Sequence, residues 1–136
     1  MTTEKRVRVL MADDVLEWRI RIRSILQGQP DWQVIGEASN GLEAVQMAAE
    51  YYPDIVLLDL GMPILNGIEA ANRIRQESPR SKIIFVTQES DADIRIAALA
   101  TGAEGYLLKA NVWNELLPSV EAAMRNGHEA RALFRD

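Results

Sequence analysis

With 136 residues, the chain has the length of one ordinary domain, enough to bury a core without metals or disulfides to hold it. It contains no cysteine, which excludes a disulfide framework and a Cys-based zinc site, and its net charge of −5 argues against a nucleic-acid binder, whose phosphate affinity rests on clustered Lys and Arg. No apolar run is long enough to cross a bilayer and Met1 to Arg8 lacks the apolar stretch of a secretory leader, so a soluble, cytoplasmic protein is expected.

The first apolar run, Val7 to Ala12, reads as a strand and ends on two acids, Asp13 and Asp14. Trp18 to Arg23 then alternates apolar and basic residues, yet Val15, Trp18, Ile22 and Ile25 share one helical stripe, and context selects helix. Its Arg19, Arg21 and Arg23 are expected on a solvated face. Trp32 to Gly36 is the second strand. A helix opens at Asn40, with Glu43 in its first turn, and carries Leu42, Val45 and Ala49 at core-facing spacing.

The third strand, Ile55 to Leu58, ends on Asp59, and Asn66 with Glu69 opens a helix carrying Ile68, Ala71 and Ile74. Lys82 to Val86 is the fourth strand and ends on Thr87. Ser90 with Asp93 opens the next helix, which carries Ile94, Ala97, Ala98 and Thr101. Gly105 to Leu108 is the fifth strand, followed by Lys109. The last helical pattern, Val112 to Met124, contains Pro118, which removes the bond to the Asn114 carbonyl, so this helix either kinks there or begins late. Stops are expected at Gly28, Pro53, Pro79, Gly102 and Gly127, leaving a domain over 1–127 and a polar tail or linker stub over 128–136.

Strands alternating with helices make a parallel sheet covered on both faces, with right-handed crossovers. The carboxyl ends of such strands share one edge, so Asp13 and Asp14, Asp59, Thr87 and Lys109 converge from distant parts of the chain. Taken singly, each has a structural explanation: Asp14 with Glu17 spells a capping box, Asp59 before Gly61 and Pro63 suits a turn, Thr87 suits a loop cap, and Lys109 suits the surface. None of these explains why all stand at strand ends.

Carboxylates at about 4 Å repel by roughly 4 kcal/mol per pair at an effective dielectric of 20, so three of them need a positive partner. A hard cation such as Mg²⁺ suits an all-oxygen site, with Lys109 as a second positive charge. One carboxylate can then attack phosphorus to give an aspartyl phosphate, its equatorial oxygens neutralised by the metal, Lys109 and the Thr87 hydroxyl.

The motifs VLMADD (Val9 to Asp14), DIVLLDLGMPILNG (Asp54 to Gly67), IIFVT (Ile83 to Thr87) and GYLLKA (Gly105 to Ala110) resemble, in order and spacing, those of receiver domains of two-component response regulators. The wording is most similar to receivers of the LuxR/NarL type. The resemblance implies a flavodoxin-like (βα)5 three-layer sandwich with sheet order 2-1-3-4-5. It implies Asp59 as phosphoacceptor, Asp14, Asp59 and the Gly61 carbonyl as ligands of Mg²⁺ (Mn²⁺ substituting) with Asp13 holding the metal through water, and slow self-dephosphorylation. Thr87 and Tyr106 become the switch pair, reporting on the face of the fourth helix, fifth strand and fifth helix. The phosphoryl donor becomes a sensor histidine kinase or phosphotransfer protein, and His128 has no match to a donor site.

Two departures stand beside the resemblance. Gln88 and Glu89 follow Thr87 where the family carries a small residue first, which alters the access of attacking water. Ala110 follows Lys109 where many members have proline, so a trans peptide is expected, or a strained cis one if the site demands it. Leu16, Ile20 and Trp113 are expected to flank the site as kinase-docking or dimer contacts, the alternative being that Trp113 covers core. No membrane contact or direct nucleic-acid binding is expected of this domain, and no DNA-binding domain of the LuxR type fits in the residues after Arg125. A flavin domain is disfavoured by the two acids in the first loop, and a haloacid-dehalogenase-type phosphatase by Gly61 where a second acid is wanted.

Overall fold

The computed structural model describes the backbone of residues 7–133 and the side chains of 7–125. Five strands, β1 (Val7–Ala12), β2 (Trp32–Ala38), β3 (Ile55–Leu58), β4 (Lys82–Thr87) and β5 (Gly105–Leu108), form one parallel sheet in the order 2-1-3-4-5. The helices are α1 (Leu16–Leu26), α2 (Gly41–Tyr51), α3 (Gly67–Glu77), α4 (Ala92–Leu99) and α5 (Val112–Leu133), with a single 3-10 turn over Lys109–Asn111. This is the flavodoxin-like sandwich.

Side chains alternate across the sheet, and the inner strands β1, β3 and β4 are apolar nearly throughout because both faces are covered, whereas the edge strand β2 carries Gln33 and Glu37. Leu10, Val56, Leu58, Ile83, Phe85 and Tyr106 pack under α2, α3 and α4. Val9, Met11, Ile55, Leu57, Ile84 and Leu107 pack under α1 and α5.

Asn40 and Asn66 cap α2 and α3 as their spacing predicts, accepting bonds from Glu43 N–H at 2.8 Å and Glu69 N–H at 2.9 Å. Elsewhere the local expectations need correction. Helix α4 is capped by Asp91, not Ser90, with Asp91 Oδ1 accepting from Asp93 and Ile94 N–H. On α2 the inward residues are Gly41, Ala44, Val45 and Ala48, while Leu42 is exposed. On α4 only Ala98 is buried, and Ile94, Ala97 and Ile96 face outward. Helix α5 begins at Val112 and continues through Pro118 and past Gly127 to Leu133. Arg75 of α3 ties down the loop after α4, donating to the carbonyls of Ser81 and Gly102 and pairing with Glu104 at 3.1 Å.

Two features shape the loop between β3 and α3. Gly67 stands so close to the strand end that a Cβ there would lie 2.1 Å from the Asp59 carbonyl oxygen. Ile64 has φ of 72°, a left-handed conformation that a β-branched side chain adopts only under strain, and its side chain is 73% exposed. Ile64→Gly relieves that strain and, after the entropy cost of glycine in the unfolded chain, is expected to stabilise the fold by about 1 kcal/mol, roughly 4 °C in Tm by calorimetry. An unchanged or lower Tm would show the loop to be unstrained.

Candidate functional site

The sheet ladder itself places the acids. Asp13 N–H donates to the Ala38 carbonyl and Asp59 N–H to the Ala12 carbonyl, both at 3.0 Å, so each residue is fixed one step beyond its strand. Asp13, Asp59, Thr87 and Lys109 are all buried, whereas Asp14 is exposed at the mouth. The carboxylates of Asp13, Asp14 and Asp59 each bring an oxygen within 4.8 Å of the others. At that separation two full charges repel by roughly 3.5 kcal/mol at an effective dielectric of 20.

Lys109 Nζ lies 2.7 Å from Asp13 Oδ2 and 3.4 Å from Asp59 Oδ2. One ammonium cannot balance three carboxylates. Burial first, then the Asp13 charge, push the Asp59 carboxyl above its usual range, opposed by Lys109, the Leu60 N–H and the Thr87 hydroxyl. The Leu60 bond to Asp59 Oδ1 measures 2.8 Å. Asp13 Oδ2 is buried and, although ion-paired with Lys109, is met by no aligned hydrogen-bond donor. An all-oxygen trio with surplus negative charge and an unsatisfied buried oxygen fits a hard divalent cation.

The capping-box alternative for Asp14 does not form. Val15 occupies the cap position of α1 without a side-chain bond, and it is Asp13 Oδ1 that accepts from Val15 N–H, at 2.9 Å, leaving Asp14 to line the cleft. The arginines are not simply solvated either. Arg19 donates to the Asp13 carbonyl at 2.7 Å and, with Arg23, pairs with Glu37 of β2, while Arg21 lies 4.8 Å from the Trp18 ring centroid.

Thr87 Oγ1 accepts from Glu89 N–H at 3.2 Å, and the Tyr106 hydroxyl donates to the Glu89 carbonyl at 2.7 Å. Both switch candidates therefore grip the same loop before α4. Gln88 and Glu89 line the cleft, about 480 Å³, together with Asp14, Gly61, Thr87 and Lys109. The Lys109–Ala110 peptide is trans, as expected without proline. Trp113 is 62% exposed, so it does not cover core, and Leu16 and Ile20 are exposed too. The His128 side chain lies outside the described residues.

Sequence reading passed over two residues of the site. Gly67 bears on Asp59 through backbone contact, and Trp18 lines the cleft with its ring centroid 4.9 Å from Lys109 Nζ. The signal for Trp18 was its place one helical turn beyond the acid pair, on the stripe that faces the sheet.

Sheet order and strand-end acids together define a flavodoxin-like signal receiver. A family model described as the response regulator receiver domain matches residues 9–121, and the chain belongs to that family, a component of two-component signal transduction. It is 40% identical over 88% of its length to the transcriptional regulatory protein LiaR of Bacillus subtilis, covering 56% of that protein. It is 33% identical over 90% of its length to the nitrate/nitrite response regulator protein NarL of Escherichia coli, covering 57% of it. The chain thus spans little more than half the length of these curated relatives. Among solved structures, the response regulator domain of Thermotoga maritima CheB superposes with a TM-score of 0.83 at 37% identity, covering 89% of this chain and 98% of that one. A LuxR-family response regulator from an Aurantimonas species gives 0.84 at 31%, covering 90% and 87%.

Proposed function

We propose that Asp59 accepts a phosphoryl group from a phosphohistidine on a sensor histidine kinase or phosphotransfer protein. The observation that carries this reading is the burial of Asp59 between Asp13 and Lys109, at the end of a strand and open to the cleft. A carboxylate oxygen of Asp59 attacks phosphorus, the P–N bond breaks, and the imidazole leaves with the electron pair and takes a proton from solvent. Asp13, Asp14, Asp59 and the Gly61 carbonyl would hold Mg²⁺ or Mn²⁺, which when bound supplies charge neutralisation to the phosphoryl oxygens.

Lys109 and the Thr87 hydroxyl are the chain's own groups for the new phosphoryl oxygens. As Thr87 turns toward them it releases Glu89 N–H, and Tyr106, bound to the same residue, moves with the loop, altering the face of α4, β5 and α5. Leu16, Ile20 and Trp113 offer exposed apolar contacts for the kinase or, as the alternative, for a second copy of the chain. Control of transcription follows if the parent protein continues into a DNA-binding domain, as the names of its relatives suggest. The cytoplasm is the compartment these partners imply, and slow self-dephosphorylation resets the switch.

Incubation with a small acyl phosphate and Mg²⁺, followed by intact-mass measurement, should give one phosphoryl adduct that a chelator prevents. No adduct would overturn the reading. Mg²⁺ alone should also raise Tm, since a ligand at about 100 times its dissociation constant adds about 2.7 kcal/mol to folding stability. A Tm that ignores Mg²⁺ would remove the metal from the proposal.

A further inference from the structure

We propose that Trp18 is a positioning residue for Lys109, an inference that rests on the phosphoacceptor reading above. The Lys109 ammonium lies 4.9 Å from the Trp18 ring centroid while also facing Asp13 Oδ2 at 2.7 Å and Asp59 Oδ2 at 3.4 Å. A lysine stem is long and rotamer-rich, and here it must serve an oxygen that arrives only with the phosphoryl group. The face of an indole attracts the ammonium through its quadrupole and occupies none of its three N–H donors as a lone pair would. The ring therefore holds the charge in place and leaves its hydrogen bonds for oxygen.

The ring is itself held. Trp18 is partly buried and packs against the core beneath α1 and α5, and Arg21 lies 4.8 Å from the same centroid. It also lines the cleft shared by Asp14, Asp59 and Thr87, so the contact with Lys109 is made within the site. Because the indole is neutral, its loss leaves the acid trio's charge unchanged. Phosphoryl transfer should suffer while cation affinity does not, a separation that general damage to the site would not produce.

The test uses Trp18→Leu, which keeps bulk without a π face, and Trp18→Phe, which keeps a weaker one. In the native chain the side-chain protons of Lys109 nearest the ammonium should be shifted upfield in the NMR spectrum by the ring current, and should return toward ordinary lysine positions in Trp18→Leu. At saturating Mg²⁺ the rate of labelling by an acyl phosphate should fall about tenfold in Trp18→Leu, equivalent to about 1.4 kcal/mol, with Trp18→Phe between it and the native chain. The Mg²⁺ concentration giving half of the thermal shift should stay at the native value in both.

Ordinary Lys109 shifts in the native chain, a native labelling rate in Trp18→Leu, or a joint loss of rate and Mg²⁺ affinity would each overturn the proposal. The two readings fail separately. An unlabelled native chain overturns the phosphoacceptor assignment and this inference with it, whereas a labelled native chain with an undiminished Trp18→Leu overturns this inference alone.

Discussion

Asp59→Asn should take up no phosphoryl group from an acyl phosphate under conditions that label the native chain, because an amide lacks the anionic oxygen that attacks phosphorus. The same substitution should raise stability in the presence of a chelator. The folded Asp59 carboxyl titrates above its unfolded value, so the native state holds a proton more tightly than the unfolded chain does. Stability contributed by that proton is present at low pH and lost as pH rises through the raised folded value. Above that raised value the native chain therefore carries a charge that disfavours folding, and Asn does not. The gain should be on the order of 1 kcal/mol, because burial and the Asp13 charge are opposed by Lys109, the Leu60 N–H and the Thr87 hydroxyl. It should shrink as pH falls below the carboxylate range. Denaturant melts at several pH values measure it, and an equal adduct on Asp59→Asn would move the phosphoacceptor elsewhere.

Gly67→Ala should damage both the fold and the placement of Asp59. The added Cβ would lie 2.1 Å from the Asp59 carbonyl oxygen and 2.8 Å from Leu60 Cα, both backbone atoms that no rotamer change can move aside. Relief requires the loop after β3 to shift, breaking the 2.8 Å bond from Gly67 N–H to the Leu60 carbonyl. A stability loss of about 3 kcal/mol is expected. A displacement of the Asp59 backbone by about 1 Å should slow acyl-phosphate labelling about 100-fold. Native stability and native rate in this variant would mean that the close approach is absent in solution.

Strands were the legible part of this fold. Ile55 to Leu58 is apolar at every position and Val7 to Ala12 at every position but Arg8, because both sheet faces are covered, and their bounds follow directly from composition. Helix faces were less legible, since size as well as hydropathy decides them. The start of α2 presses on the β3–α3 loop so closely that a Cβ at Gly41 would lie 1.9 Å from the Leu65 carbonyl oxygen, so glycine and alanine turn inward and Leu42 is left outside.

The acids, Thr87 and Lys109 could be read because strand ends converge by topology alone. Trp18 could not, because a tryptophan on a helical stripe looks like core until Lys109, which follows β5 far along the chain, is set beside it. Asp91 displaced Ser90 as a cap because its carboxylate reaches two amides at once.

Helix α4 buries only the side chain of Ala98, meets β5 as well through Arg95 over the Tyr106 ring at 5.5 Å, and is tethered beyond its far end by Arg75. Its docked position therefore draws on the low end of the molecule's stability range. Inverting a two-state population from 1:99 to 99:1 requires about 5.5 kcal/mol of differential interaction, and a helix held this lightly starts from a less lopsided ratio and needs less. In the proposed switch the sparse packing of α4 would set the energetic threshold, so substitutions at Ile96 or Leu99, which stand outside the cleft lined by Asp59 and Ile94, should adjust its sensitivity without altering the cleft.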